Sequence, residues 1–554
     1  MSYVKGMDRR QIQMLPECIE DLVGEDNPVR IIDLFVDNLD MEALGYAKAI
    51  PAETGRPAYD PRDLLKLYIY GYFNRIRSSR MLMKECKRNI ELFFLLNRLS
   101  PDFRTIADFR KDNAEAIRQS FLEFTKQCLK MDLFKNDLMA IDGSKFRAVN
   151  GRKKMYNEEI LEKKLARIDE HLAIYLKELE ASDLEESGDD RSASGEQGKK
   201  ADALRIKVKT LKDRRAIYKN YQSELRASDE TQLLTTDPEA RMMHTKDGFH
   251  CCYNVQTAVG STSHLIAEYK VTNLVNDQKI LCDFAKDVKE ALSAPVLEII
   301  ADKGYDSKNE IKKCIMTGIV PYVGFRDDKG ERIYARDYIH SNINTKMEHS
   351  KNADDISACL HAGILPACYE NTNLSVEVHE EGSIGCFERR EDRMSVVCPM
   401  GFTLVKRRNK RQGIEYASYA ACRKCTNRCT PSNQPKRVYF GPNTDRVAAV
   451  MYGDRKPANA MPAGFTPHNA FFQKERIKKT ILIRVKDDIP KQKQRLCISE
   501  HPFGTVKWHH GAHYLLCKGI RKATAEMGLA FLAYNMKRAI KLVGIQRLMM
   551  ELGD

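Results

Sequence analysis

Three acidic residues stand where local physics would not place them by default: Asp142 in MAIDGSKF (139–146), Asp302 in IIADKGYDS (299–307) and Glu500 in RLCISEHPFGTVK (495–507). Asp142 closes the apolar run Leu138, Met139, Ala140, Ile141, which reads as a buried strand, and Gly143 and Ser144 break the run immediately afterwards. Asp302 repeats the device behind Val296, Leu297, Ile299, Ile300 and Ala301, with Gly304 as the breaker. If the two strands are neighbours in one sheet, the carboxylates converge, and a close carboxylate pair needs a cation between them. Mg²⁺ (or Mn²⁺) is the expected ion, because carboxylates completed by water and phosphate oxygens suit a hard octahedral centre. Glu500 is the expected third ligand. Lys507 follows it by about two helical turns, so a helix would set acid and base on one face, with Gly504 between them and Pro502 interrupting the regular pattern.

These residues, with YNVQTAV at 253–259, ADKGY around Asp302, EHPFGTVK and a downstream AYNMKRA, make the chain resemble a bacterial insertion-sequence transposase of the DDE type with an RNase H-like catalytic core. The resemblance implies metal-dependent DNA cleavage and strand transfer by two-metal phosphoryl transfer. Asp142, Asp302 and Glu500 would be both the catalytic triad and the metal ligands, and Lys507, Arg495 and Lys145 would hold the phosphate backbone. In the family a Tyr, an Arg, the Glu and a Lys form a signature; here Arg495, Glu500 and Lys507 fit it. Gln492 stands at the Tyr position, and the Arg-to-Glu interval is one residue longer than the common form. Double-stranded DNA, both element end and target, and a homodimeric synaptic complex are the implied partners. Two other readings stay open: a catalytically silent, transposase-derived DNA-binding protein, and a stand-alone metal-dependent nuclease. Glu526 is the rival third acid, but its neighbours at helical spacing are packing residues, so it reads as structural.

The net charge of +14 favours a polyanionic partner. The excess is local: residues 401–446 carry 11 Lys/Arg against 2 acids. Without an apolar signal region or a run near the roughly 20 apolar residues of a membrane span, the expected compartment is the cytoplasm, in contact with the nucleoid. The 16 cysteines are then mostly free and buried. Cys398, Cys422, Cys425 and Cys429 form an exception: the last three are spaced as Cys-x-x-Cys-x-x-x-Cys, and four thiolates make a tetrahedral structural Zn²⁺ site. Four reduced thiols are the equal alternative.

The fold class expected is α/β: an RNase H-like mixed sheet with flanking helices, interrupted twice and preceded by an all-α domain. Residues 1–130 form that helical domain, which resembles the InsH-like N-terminal domain in SSR (78–80) and PDFRTIADFR (101–110). Asp60 and Pro61 open one of its helices, and Arg75, Arg77, Arg80, Lys84, Lys87 and Arg88 offer a DNA-facing surface, with a solvated basic face as the bland alternative. Residues 131–325 hold the first part of the core. Within them, about 151–235 reads as an antiparallel helical hairpin from Leu161, Leu165, Ile168, Leu172, Leu176 and Leu179 and the series Leu204, Val208, Leu211, Tyr218 and Leu225, joined by a polar mobile tip. Its 18 basic and 18 acidic residues favour a neutral arm. Asn276 or Asp277 is expected near the start of the helix that precedes the Asp302 strand. Residues 326–475 form a basic, Cys-rich insertion, and 476–554 complete the core with the third acid.

Overall fold

The computed structural model describes residues 18–553, apart from 52, 55–56, 135–137, 152–153, 187–193, 229, 327–329, 340–341, 411–412, 426–428, 431–433, 443 and 452–471. It divides into two compact units, one made of Met1–Glu310 with Ile489–Asp554 and the other of Ile311–Asp488.

The first unit begins with helices α1 (Val29–Asp37), α2 (Pro61–Phe73), α3 (Ser79–Glu85), α4 (Ile90–Leu95), α5 (Phe103–Asp112) and α6 (Ala114–Lys130). Pro61 at the first position and the Asp60 carboxylate, which accepts from Arg62 N at 2.8 Å, start α2. Asp102 starts α5 in the same way through Arg104 N and Thr105 N. Tyr68, Phe109, Phe121 and Phe124 from these helices enter the core.

Strand β1 (Met139–Arg147) follows, and then two long helices, α7 (Glu158–Glu186) and α8 (Ser194–Ala227). Leu161 packs with Leu225, Ile168 and Leu172 pack with Val208, and Arg215–Asp169 and Arg226–Glu158 pairs flank the seam, so the two run antiparallel. Residues 187–193 of the tip expected between them lie outside the described residues.

The chain returns through β2 (Arg241–Thr245), β3 (Gly248–Gly260), β4 (Ile266–Thr272), helix α9 (Leu281–Ala291) and β5 (Leu297–Ala301). Strand β1 lies between β3, which it pairs antiparallel from Met139↔Gly260 to Arg147↔Cys252, and β5, which it pairs parallel. On its other side β3 pairs antiparallel with both β2 and β4. The unit closes with α10 (Ile489–Gly504) and α11 (Ile520–Val543). Met527, Ala530, Phe531, Tyr534 and Met536 of α11 are all buried, and Asn535 ties α11 to β4 by bonding Ile266 N and O.

In the second unit, eight strands form one antiparallel sheet among the described residues. Its longest pair joins Leu374–Arg389 to Phe472–Lys486, which also pairs with Glu331–Asp337. A compact core of Phe387, Val396, Leu404, Tyr416, Val438 and Phe440 includes Cys398 and Cys425. Ile319–Val323 is a strand outside that eight-stranded sheet, with every residue buried. Among the described residues, no helix is long and apolar enough to cross a membrane.

Candidate active site

The first three residues of β1 are fully buried, and the strand becomes half-exposed from Asp142 to Lys145. Strand β5 is buried to Ala301, and Asp302 follows with extended backbone, its carboxylate accepting from Gly304 N at 2.7 Å and starting a short turn over Lys303–Tyr305. Met139 pairs with Ile299 and Ala140 with Ile300. The same offset carried two residues further sets Asp142 beside Asp302, on neighbouring strands whose spacing is about 4.8 Å.

Helix α10 covers this edge. Arg495 and Ser499, one turn apart, both point at Asp142: Arg495 Nη1 and Ser499 Oγ each donate to Asp142 Oδ2 at 2.8 Å, while Gly143 N donates to Oδ1 at 2.8 Å. Burial raises the Asp142 pKa above the usual carboxylate range. Arg495 and Ser499 oppose that shift, and the charge of Asp302 adds to it. A carboxylate in this setting favours any added cation.

Glu500 and Lys507 do not share a face. Lys507 is turned in, its ammonium donating to Ser144 Oγ at 2.6 Å and Lys145 O at 2.8 Å and lying 4.4 Å from the Phe146 ring centroid, whereas Glu500 is exposed. The helix carries Pro502 in its last turn and then widens to a π-turn over Thr505–His509, so the three-and-four spacing used for the expectation shifts phase between the two residues. Burial lowers the Lys507 pKa to about 8, against the pull of Cys252 and Asp142 and assisted by Lys246 and Lys145. Gly504 has open space around the position of a Cβ. Among the described residues, no three His, Cys, Asp or Glu side chains converge as a metal-holding group.

A network that sequence reasoning missed lies on the opposite face of β1. Asp277 accepts from Asn254 Nδ2 at 2.6 Å and Gln256 Nε2 at 2.8 Å, Tyr305 OH donates to Gln256 Oε1, and Lys145 Nζ stands 3.8 Å from Asp277. Asp277 is therefore not a helix cap; α9 starts at Leu281 with no side-chain cap. The available signal was N-x-Q in YNVQTAV, two amides on one face of a strand that is otherwise apolar. Gly143 is the residue that fits above the network, because a Cβ there would overlap the Gln256 amide and sit 3.0 Å from Asp277 Oδ1.

Glu526 is 1% exposed and bound to Arg77 (8% exposed) at 2.7 Å, and it also accepts from Leu516 N and Cys517 N. Arg77 Nη1 donates to Gly511 O as well, so this arginine faces inward rather than towards a nucleic acid. Of the nearby histidines, His501 meets Tyr534 OH at 2.8 Å, His509 lies against Arg75, His510 is buried and His513 stacks on Trp508.

In the second unit, Cys398, Cys422, Cys425 and Cys429 line a single cavity of about 30 Å³ together with Met400 and Phe402. Burial raises Cys398 to about 12 and Cys429 to about 11, each with other members of the four among its neighbours. Among the described residues, the sulfurs share the cavity without closing into a ligand set.

No curated protein matches the chain. A cryo-EM structure of the piggyBac transposase synaptic complex with hairpin DNA is matched over 95% of this chain and 84% of that chain, at 8% identity and a TM-score of 0.23, too loose a likeness to bear on the fold. Two family models do match: a transposase domain (DUF772) over residues 17–112 and a transposase DDE domain over residues 220–403, the latter containing Asp302, Asn254, Gln256, Asp277 and Tyr305 but not Asp142, Lys145 or Glu500. On these two domains the chain belongs to the DDE transposases of the insertion-sequence type.

Proposed function

We infer that this transposase cuts DNA at the ends of its element and joins the freed 3′ ends to target DNA, with Asp142, Asp302 and Glu500 as the acids of the reaction. The observation that carries the reading is that Asp142, within β1, follows the residues that pair in parallel with the strand leading into Asp302 and feels the charge of Asp302, with a cationic side chain already bound to it. The donor set fits a hard divalent ion: carboxylate oxygens at a strand edge, one of them raised in pKa by burial and by the other's charge. Bound there, Mg²⁺ or Mn²⁺ would supply Lewis-acid stabilisation of charge on the phosphate oxygens. Glu500 completes the set in this reading, and its exposure leaves the carboxylate accessible. Lys507, fixed by Ser144 and Lys145, places an ammonium beside the acids, where it holds a phosphate without reading sequence. Lys145 and Arg495 hold the backbone from either side of β1.

The same reading assigns residues 1–130 to binding the element ends, α7 and α8 to an arm inserted in an RNase H-like core, and a homodimer to the synaptic complex on nucleoid DNA. Cys398, Cys422, Cys425 and Cys429 are assigned to a structural zinc ion, supported by their common cavity and the tetrahedral preference of four sulfurs.

The deciding experiment is movement of a marked element bearing the gene's own flanking DNA in cells supplied with the intact protein, Asp302→Ala or Glu500→Gln. Movement lost in both variants, with DNA binding kept, supports the triad. An active Glu500→Gln moves the third acid elsewhere. A competent element that never moves, bound by a well-expressed protein, favours a silent DNA-binding relic.

A further inference from the structure

The parallel ladder between β1 and β5 is short. It joins Met139 to Ile299 and Ala140 to Ile300, and among the described residues it stops there, two residues before Asp142 and Asp302. Backbone pairing therefore does not by itself hold the two acids side by side, and carboxylates of like charge repel. Beyond the ladder, side chains tie the strands instead.

Gln256 lies on β3 opposite Gly143, and Tyr305 lies in the turn that the Asp302 carboxylate starts. Strand β1 runs between β3 and β5, so the bond from Tyr305 OH to Gln256 Oε1 has to cross it. It crosses at Gly143, where the Gln256 amide fills the place a Cβ would take. The result is a strap over β1 at the residue next to Asp142, and both of its side chains are buried.

Each end of the strap is fixed. Gln256 Nε2 donates to Asp277 Oδ1 at 2.8 Å and to Asn254 Oδ1 at 3.1 Å, which leaves Oε1 as the atom turned to the phenol. Asn254 in turn donates to Asp277 Oδ1 at 2.6 Å and to Leu274 O at 3.1 Å. Burial and the charges of Asp277, Asp142 and Asp302 push the Tyr305 pKa well above that of an ordinary phenol, so its hydroxyl keeps the proton it donates. The Tyr305 backbone closes the turn, its N donating to Asp302 O at 3.1 Å.

We propose that Gln256 and Tyr305 are positioning residues that hold the Asp302 turn against Asp142, with Asp277 and Asn254 setting the orientation of the amide. They act through Asp302 and touch neither ion nor DNA. The proposal rests on the reading of Asp142 and Asp302 as acids that hold a divalent ion, and adds what keeps them together before the ion binds. An acid pair already held in shape does not have to be drawn together on binding. Losing a residue that orients a metal ligand typically weakens metal binding by about 10- to 100-fold.

Tyr305→Phe removes the hydroxyl and keeps the ring, and Gln256→Leu removes the amide. Mn²⁺ is titrated into the full chain without DNA, and the free ion is read by paramagnetic resonance. Each variant is expected to bind Mn²⁺ about tenfold more weakly than the parent, and the double variant no more weakly than either, because both cut the same strap. Tyr46→Phe is the control for general loosening, since it deletes another buried tyrosine bond, to Ser120 at 2.8 Å in the helical domain. It should lower the melting temperature and leave Mn²⁺ binding unchanged. Tyr305→Phe that binds Mn²⁺ as the parent does, or Tyr46→Phe that weakens binding equally, overturns the positioning role and leaves the acids standing. If Gln256→Leu fails to fold, Tyr305→Phe decides alone. Parent binding that survives Asp302→Ala overturns the acid site itself, and the strap with it.

Discussion

Arg495 and Ser499 donate to the same oxygen of Asp142, each at 2.8 Å, so one face of α10 is fastened to the acid that follows the fully buried residues of β1. Without another cation, Arg495 is the counter-charge of this carboxylate. Removing it leaves Asp142 and Asp302 with less compensating charge, Lys507 and Lys145 remaining nearby, and takes away the competitor of an incoming ion. Arg495→Ala is expected to bind Mn²⁺ roughly tenfold more tightly than the parent in the absence of DNA, the order set by one unit charge at a partly shielded site. Paramagnetic resonance of free Mn²⁺ reads this directly, and equal or weaker binding in the variant would rule out the competition.

Lys507 gives a pH dependence of defined sign. Its folded pKa, about 8, lies below the ordinary lysine value near 10.4, so between those values the unfolded chain binds more protons and stability rises with pH. Lys507→Met should therefore stabilise the protein at pH 7 and show a smaller rise in melting temperature than the parent between pH 8 and about 10. In the intact protein, DNA affinity should fall as the ammonium deprotonates above pH 8, a loss that Lys507→Arg removes. Identical melting profiles for parent and Met variant would contradict the burial of this charge.

Gly143→Ala places a methyl group against the Gln256 amide and close to Asp277. Neither neighbour can retreat without breaking the network, so a loss of about 1–3 kcal/mol is expected in denaturant unfolding. Asp277→Asn should disturb the same network, and the two effects together should be less than additive. Full additivity would mean the two residues are independent.

Truncating one half of the Arg77–Glu526 pair strands a buried charge. Arg77→Ala is expected to cost about 3–5 kcal/mol. Arg77→Met combined with Glu526→Leu should recover much of that loss, since neither charge then needs compensation. Urea denaturation of the parent, Arg77→Met, Glu526→Leu and the double variant tests this, and a double variant as unstable as either single would refute the coupling.

Zinc assigned to the second unit predicts about one zinc per purified chain, lost in Cys425→Ser and removable by a strong chelator with unfolding of the Cys-lined core. Metal-free protein that keeps its stability and its near-ultraviolet spectrum would identify the four as ordinary buried thiols.

Asp142 and Asp302 are visible in sequence because the signal is local, an apolar run and then an acid; the strand does end before Asp302, whereas β1 runs on through Gly143 and Ser144 to Arg147, so the glycine there does not stop it. The cap at Asp60 is legible because Pro61 follows it at the head of an apolar-periodic run. Ser499 and Asp277 carry no comparable mark. Ser499 acquires its role through contact with a strand 357 residues earlier, and Asp277 through two amides on β3. Arg77 misleads in the other direction, since a cation in a basic helical stretch reads as surface until its partner, 449 residues away, is in view. Glu500 and Lys507 separate because a π-turn changes the angular step, and that turn has no signature in residue type. The antiparallel sheet of the second unit depends on pairings such as Leu374↔Val485, whose partners come from runs too far apart for alternation alone to match.

The Arg77–Glu526 bond also bears on how such chains can diversify. An exchange of N-terminal segments between related proteins, whether by recombination or by engineering, separates two charges that are each tolerable only in the other's presence. Chimaeras of that kind will be inherited intact only where the crossover carries a compatible residue at both positions, so positions 77 and 526 are bound to change together.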